Sequence, residues 1–225
     1  MIGKILIIIF AAINYKALPL AYYVRFYHTV LIALVIPYYS KGASNPLIKK
    51  LSDNKYGCFS HTIMNSYNSI LETDMYLHKS NSTYFVDMDI ARTELMSKIF
   101  NKIFMKMRKW PYVPVASITA VFKKEIRPLE KFRIESNILC WDEKWIYVVC
   151  KFYKHKDVLC TYGLTQYVIK DGRKTIYPKD ALETCGLYNE EVAAISAKNL
   201  KILVEENGLT HPEKLISLEH RFERI

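Results

Sequence analysis

A single strand-like run, a long amphipathic helix and then a succession of strand-like runs constrain what this chain folds into. From Ser82 to about Lys106, the residues Met88, Ala91, Leu95, Ile99 and Ile103 recur three and four places apart, the period of one helix face. Asn81 and Ser82 are N-cap residue types, Asp87 and Asp89 lie near the positive end of the helix dipole, and Trp110-Pro111 closes the helical region. Ahead of it, Thr62 to Leu71 reads as a strand. Behind it, strands are predicted over Val113 to Ile126, Phe132 to Trp141, Trp145 to Tyr153 and Val158 to Ile169. The breaks between them are Arg127-Pro128, Asp142-Glu143-Lys144 and His155-Lys156-Asp157, hairpin-like connections that predict an antiparallel meander. Glu190 to Glu206 reads as a final helix ended by Asn207-Gly208. The order is α+β, and a curved antiparallel sheet wrapped around the long helix is the simplest way to bury its apolar face.

The N-terminal part reads differently. Ile5 to Ile13 is an unbroken apolar run, Lys16 interrupts it, and Leu18 to Tyr39 resumes it with Pro19, Arg25, His28 and Pro37 inside. Three arrangements fit. A helix from about Ile2 to Ala17 spans a bilayer with Lys16 reaching back to the headgroups; Leu18 to Tyr39 spans instead; or the first half inserts while the second lies in the interface. The expectation is a membrane anchor over residues 1–39, a basic linker over 40–60, and a domain over 61–225 with a C-terminal helical extension. A cleaved signal peptide lacks a small-residue cleavage site here, and a mitochondrial presequence would be richer in Arg and Ser.

Charge follows the same division. The formal net charge is +10, yet no acid occurs before Asp53, so Lys4, Lys16, Arg25, Lys41, Lys49 and Lys50 concentrate the excess beside the most apolar stretch. Bases placed there suit anionic lipid headgroups and favour a cytosolic domain, on the endoplasmic reticulum or alternatively on mitochondria. A nucleic-acid partner is not expected, because no basic stripe interleaved with stacking aromatics runs along the domain. Five cysteines without a CxxC pair point to buried free thiols in a reducing compartment and to no metal site. The chain has no phosphate-binding glycine loop, no dinucleotide glycine pattern and no His-Glu-x-x-His.

The chemistry concentrates in Glu72-Thr73-Asp74-Met75-Tyr76-Leu77-His78-Lys79-Ser80-Asn81-Ser82-Thr83-Tyr84, the segment that joins the first strand to the long helix. Asp74 precedes a helix N-terminus, whose free N–H groups hold an oxyanion. A carboxylate beside such donors suits thioester hydrolysis, attacking directly or activating water. Each residue also has a purely structural reading: Asp74 as a turn cap, His78 bonding backbone, Asn81 as a helix cap, Arg92 in an ion pair.

A helix wrapped by an antiparallel sheet is the hotdog fold, and the motif residues resemble a family built on it. Glu72-x-Asp74, His78, Asn81, Tyr84 and Ala91-Arg92 are similar to the acyl-CoA thioesterases of the 4-hydroxybenzoyl-CoA type. Val115-Ala116-Ser117, Arg127-Pro128-Leu129-Glu130 and Leu139-x-Trp141-Asp142-x-x-x-x-Tyr147 extend the resemblance to a membrane-associated branch, typified by thioesterase superfamily member six and its fungal relatives. The resemblance implies Asp74, His78 and Asn81 as catalytic residues, and main-chain donors at Ser82 and Thr83 as the oxyanion hole. Tyr84 and Arg92 are implied as substrate contacts. It further implies a homodimer with the site at the subunit boundary, and coenzyme A entering as part of the substrate with no other cofactor. Ser80-Asn81 replaces the family's usual pair of Asn, and Leu77 stands where active bacterial enzymes often have Gly. A silent hotdog, kept as an interaction or lipid-regulatory protein, is the competing expectation.

Overall fold

The computed structural model describes residues 2–41, 45–106, 112–205, 215 and 223–225. Helices α1 (Ile2–Ile13), α2 (Ala21–Val30), α3 (Ile36–Lys41) and α4 (Pro46–Asp53) precede strand β1 (His61–Tyr67) and helices α5 (Asn81–Ile99) and α6 (Asn101–Lys106). Strands β2 (Val115–Phe122), β3 (Lys131–Trp141), β4 (Ile146–Lys154), β5 (Val158–Tyr167), β6 (Ile169–Asp171) and β7 (Lys174–Ile176) follow, and then α7 (Pro178–Cys185) and α8 (Glu190–Glu205).

The main sheet is antiparallel in the order β1-β3-β4-β5-β2. The expected meander holds for β3 to β5. Local turn chemistry makes it: Asp142 Oδ1 accepts from the N–H groups of Lys144 and Trp145, both at 2.7 Å, and closes the β3–β4 connection. β2 departs from the meander. It pairs with β5 at the far edge instead of with β3. The cause lies in the connection after it, which is drawn across to the loop following β1. Lys79 N–H donates to the Ile126 carbonyl at 2.8 Å, Leu129 N–H to Asn68 at 2.7 Å, and Asn68 N–H to Glu130 at 3.0 Å.

α5 lies in the curve of this sheet, the hotdog arrangement. Met88, Ala91, Leu95, Ile99 and Ile103, the predicted apolar face, are all buried. The helix does not run unbroken to Lys106. It stops at Phe100, which leaves helical geometry, and α6 restarts behind it. Trp110-Pro111 and Asn207-Gly208 lie outside the described residues. The outer face of the sheet is covered as well. Leu139, Cys140, Val149, Tyr162 and Leu164 pack with Leu203 of α8 and Leu215. Ser196 accepts from Trp141 N–H at 2.9 Å and Asn199 donates to the Leu139 carbonyl at 2.8 Å, tying α8 to β3. With both faces covered, β4 is buried almost end to end.

The N-terminal segment corrects an expectation. Among the described residues, no helix is long and apolar enough to cross a membrane. α1 has 12 residues, about 18 Å at the helical rise, against a hydrocarbon core of about 30 Å. Lys16 does not reach for headgroups, and Arg25 does not sit in lipid. Both are turned into the folded domain, where Lys16 is 4% exposed. Asn14 bonds the loop after β1, accepting from Ser69 Oγ at 2.7 Å and Leu71 N–H at 3.0 Å.

Candidate functional site

The turn between β1 and α5 is a closed loop. Thr73 and Lys79 face each other in an antiparallel bridge, and Ser80 N–H donates to the Glu72 carbonyl at 2.8 Å. At its tip, Asp74 N–H donates to the His78 carbonyl at 3.0 Å and Leu77 N–H to the Asp74 carbonyl at 3.1 Å. So tight a turn needs a left-handed residue, and Leu77 takes that conformation at φ 59°. Met75, Tyr76 and Leu77 are thereby left exposed.

Asp74 is half-buried. Its Oδ1 accepts from Tyr76 N–H at 2.9 Å, and its Oδ2 stands 3.5 Å from His78 Nδ1. The His78 ring lies over Tyr76, and its Nδ1 is 3.3 Å from the Lys79 carbonyl. The turn brings Asp74 and His78 together, and the same closed loop carries the chain directly into α5. Ser80 is the N-cap by position, but its side chain makes no capping bond. Asn81 and Ser82 are exposed, and their N–H groups have no acceptor within the helix. Thr83 N–H is committed to the Ser80 carbonyl at 3.0 Å, so Ser82 is the freer of the two expected donors. Tyr84 points the other way. It is buried in the core between Phe122 and Phe152, each 5.1 Å from its ring, and burial raises its hydroxyl to about 12.

Beneath the turn lies an ionic cluster, buried except for part of Arg25. Lys16 Nζ stands 2.9 Å from Glu72 Oε2 and 3.0 Å from Asp87 Oδ2; Lys79 Nζ is 2.9 Å from Asp87 Oδ2; Arg25 Nη2 is 2.7 Å from Asp87 Oδ1. Burial pushes the Asp87 carboxyl up, but Lys79, Lys16 and Arg25 outweigh it and bring it down to about 2. Burial also lowers Lys79, against the pull of Asp87. Since Glu72 and Lys79 flank the Asp74 turn, residues 16 and 25 brace it from below.

Arg92, expected as a substrate contact, is not at this turn. It lines a cavity of about 760 Å³ between α2, α5 and the start of β2. Asp89 and Thr93 share its wall, opposite Tyr22 and Phe26. Sequence reasoning missed Asp89, Thr93 and Tyr22. The signal was legible: Asp89, Arg92, Thr93 and Met96 form a second stripe at helical spacing beside the core face. Among the described residues, no group of three or more His, Cys, Asp or Glu side chains is placed to hold a metal ion.

The sequence is similar to known proteins. The family model described as the thioesterase-like superfamily matches residues 69–193. A protein of Saccharomyces cerevisiae named a probable thioesterase is 52% identical over 210 residues, covering 93% of this chain and 91% of that one. A thioesterase of Penicillium oxalicum is 30% identical over 219 residues, covering 80% of this chain and 70% of its own. Among solved structures, a DHNA-CoA thioesterase from Staphylococcus aureus is 20% identical with a TM-score of 0.47, covering 65% of this chain and 95% of that one. The family match takes in β1's loop, the Asp74 turn, the central helix and the whole sheet after it, and this chain belongs to the thioesterase-like superfamily, a family of thioester hydrolases.

Proposed function

We propose that this chain hydrolyses a fatty acyl-CoA thioester at a membrane surface. The observation that carries the reading is the closed Glu72–Ser80 loop, which holds a half-buried carboxylate at the entry to an uncapped helix N-terminus. Asp74 takes a proton from water as the oxygen attacks the thioester carbon. His78, beside Oδ2, orients the carboxylate. The carbonyl oxygen gains charge against the open N–H groups of Asn81 and Ser82 and the positive end of α5. Collapse of the tetrahedral intermediate breaks the C–S bond, the proton passes from Asp74 to the departing thiolate, and fatty acid and coenzyme A leave. Coenzyme A arrives with the substrate, and the chemistry uses no other cofactor.

The membrane contact is interfacial. Residues such as Leu6, Ile7 and Ile8 of α1 are exposed, and so are Tyr23, Val24 and Tyr27 of α2. Apolar faces of that kind insert to the depth of the headgroup–acyl boundary. Tyr27 also lines the cavity, so the acyl group enters from the lipid side. All five cysteines are free and buried, which suits the cytosolic face of the endoplasmic reticulum. Two copies join through β2, an edge strand paired only with β5 and exposing Val115 and Phe122.

The test is Asp74→Asn in the full chain, assayed against a panel of acyl-CoAs. Turnover falls at least about 100-fold, the scale of losing a general base. Melting temperature stays within a degree or two, because Asp74 is not part of the buried cluster. Full activity in the folded variant removes Asp74 from the mechanism. A wild-type chain inert on every acyl-CoA favours the silent hotdog.

A further inference from the structure

The residue that follows α1 reaches into the segment that carries Asp74. Asn14 is fully buried, and its carboxamide faces two ways. Nδ2 donates to the Phe10 carbonyl at 2.8 Å, and the Asn14 N–H donates to the carbonyls of Phe10 and Ala11 at 3.1 and 3.2 Å, so one side belongs to the last turn of α1. Oδ1 accepts from Ser69 Oγ at 2.7 Å and from Leu71 N–H at 3.0 Å, so the other side belongs to the single helical turn Ile70–Glu72. Ser69 N–H donates to Glu72 Oε2 at 3.1 Å across that turn, and the Glu72 carbonyl accepts from Ser80 N–H to close the Asp74 loop. One side chain therefore links the end of α1 to the base of the loop.

α1 has little to hold it in water. It has 12 residues, buries none of them and carries Gly3 among its β-branched Ile residues. Isolated helices shorter than roughly 12–15 residues are marginal in water, and Gly and Ile weaken them further. At the headgroup–acyl boundary the same segment is driven to be helical, because unpaired backbone groups are costly there. When α1 frays, the Phe10 carbonyl leaves, and two Asn14 donors lose their acceptor in a dry place. The carboxamide turns to find new partners and releases Ser69 and Leu71. Lys16, two residues on, stays ion-paired to Glu72 and Asp87, which makes Asn14 the pivot. Resting on the thioester-hydrolase reading and its interfacial contact, we infer that Asn14 is a positioning residue through which the seating of α1 in lipid sets the Asp74 loop, so that hydrolysis is switched on at the membrane. A base misplaced by about 1 Å loses much of its rate, so a small shift of this loop is enough.

Two measurements on the full chain decide it, each with and without phosphatidylcholine–phosphatidylserine vesicles. The first is turnover of butyryl-CoA, a short substrate that the vesicles do not concentrate. Vesicles are expected to raise kcat at least about fivefold, the low end of coupling between two sites, with KM little changed. The second is hydrogen exchange at the amides of Leu71, Asp74 and Leu77, which slows when vesicles are present. Asn14→Leu sediments with vesicles as the wild type does, yet shows neither the rise in kcat nor the slower exchange. Where that variant does not fold, Asn14→Asp replaces it: the acceptor for Ser69 and Leu71 is kept, the Nδ2 bond to Phe10 is lost, and kcat becomes the same with and without vesicles. Vesicles that bind the wild type and leave both kcat and exchange unchanged overturn the proposal, as does a folded Asn14 variant that keeps the full vesicle response. A wild-type chain that does not sediment with vesicles overturns it together with the interfacial contact. Slower exchange at the three amides in a chain that hydrolyses no acyl-CoA sustains the link from α1 to the loop and sinks the hydrolase reading alone.

Discussion

Asp87 has three cations around one buried carboxylate, and among the described residues Glu72 is the other acid beside them. Removing its charge leaves Lys16, Lys79 and Arg25 in a dry site with Glu72 alone. Breaking a buried ion pair from one side costs roughly 3–5 kcal/mol. Asp87→Asn is therefore expected to lower stability by about that amount, read as the midpoint of urea unfolding. The pH dependence has a definite sign. The folded carboxyl lies at about 2, below its ordinary range, so its contribution is complete above that range and is lost as pH falls toward 2. Acid titration followed by tryptophan fluorescence should show stability falling between about pH 4 and 2, with a flatter profile in Asp87→Asn. A wild-type chain indifferent to that window contradicts the cluster. The sequence placed Asp87 correctly on the helix but credited it only with the dipole. Two of its three partners, Lys16 and Arg25, come from 71 and 62 positions away, a separation that no local pattern encodes. Asp74 was different. Its turn is made by near neighbours, and it was legible for that reason.

Elements were legible where their periodicity is local. Each strand of the main sheet was located by its run of apolar residues, and the core face of α5 by its three/four spacing. Pairing partners were not, because alternation says which side faces the core and nothing about which strand lies alongside; β2 reached the far edge for that reason. Two helices were passed over, α4 inside the stretch read as a linker and α7 in a stretch left unassigned, though their signals were present. Asn45 caps α4, accepting from Leu47 N–H at 2.8 Å ahead of Pro46, and α7 starts at Pro178 and stops at Gly186 with φ 73°. The seat of α5 on the sheet also depends on one position that periodicity hides. A Cβ at Gly163 of β5 would stand 2.6 Å from Met88 Sδ and Cε. Gly163→Ala is expected to cost about 1 kcal/mol, the low end for overpacking, because the end of the Met88 side chain can shift. Met88→Ala opens a cavity and costs more. Combined, the two should destabilise by less than their sum, since each relieves the other. Strict additivity in thermal unfolding would mean that helix and strand do not meet there.

At the scale of the molecule, the N-terminal segment has two parts with opposite relations to the fold. Among the described residues, α1 meets the domain at its end, where the Tyr67 hydroxyl donates to the Ile13 carbonyl at 2.7 Å and Asn14 follows directly. Its apolar side chains face outward, with Ile7 69% and Ile8 66% exposed. Residues 14–41, by contrast, bring Lys16 and Arg25 to Asp87 and Tyr22 to Asp89, and bury Ala33 and Leu34. The apolar character of the N-terminus was legible, but where it stopped being exposed surface and became domain was not. Lys16 within a hydrophobic run reads equally as a headgroup contact or a buried ion pair. The division predicts two truncations with different outcomes. Deleting residues 2–9 should leave a cooperatively folded chain whose melting temperature changes by no more than a few degrees. Its binding to anionic lipid vesicles should fall at least tenfold, since each buried Ile or Leu contributes about 1.5–3 kcal/mol on leaving water. Deleting residues 2–41 strips Lys16 and Arg25 from Asp87 and opens the wall of the cavity, so the remainder should lose cooperative unfolding and thioester hydrolysis together. Sedimentation with vesicles and circular dichroism melts on the two variants read both arms. A chain lacking residues 2–41 that melts like the full-length protein would make the whole segment a dispensable anchor. A chain lacking residues 2–9 that still sediments with vesicles would move the membrane contact onto α2, whose outward Tyr23, Val24 and Tyr27 are the next apolar face along the chain.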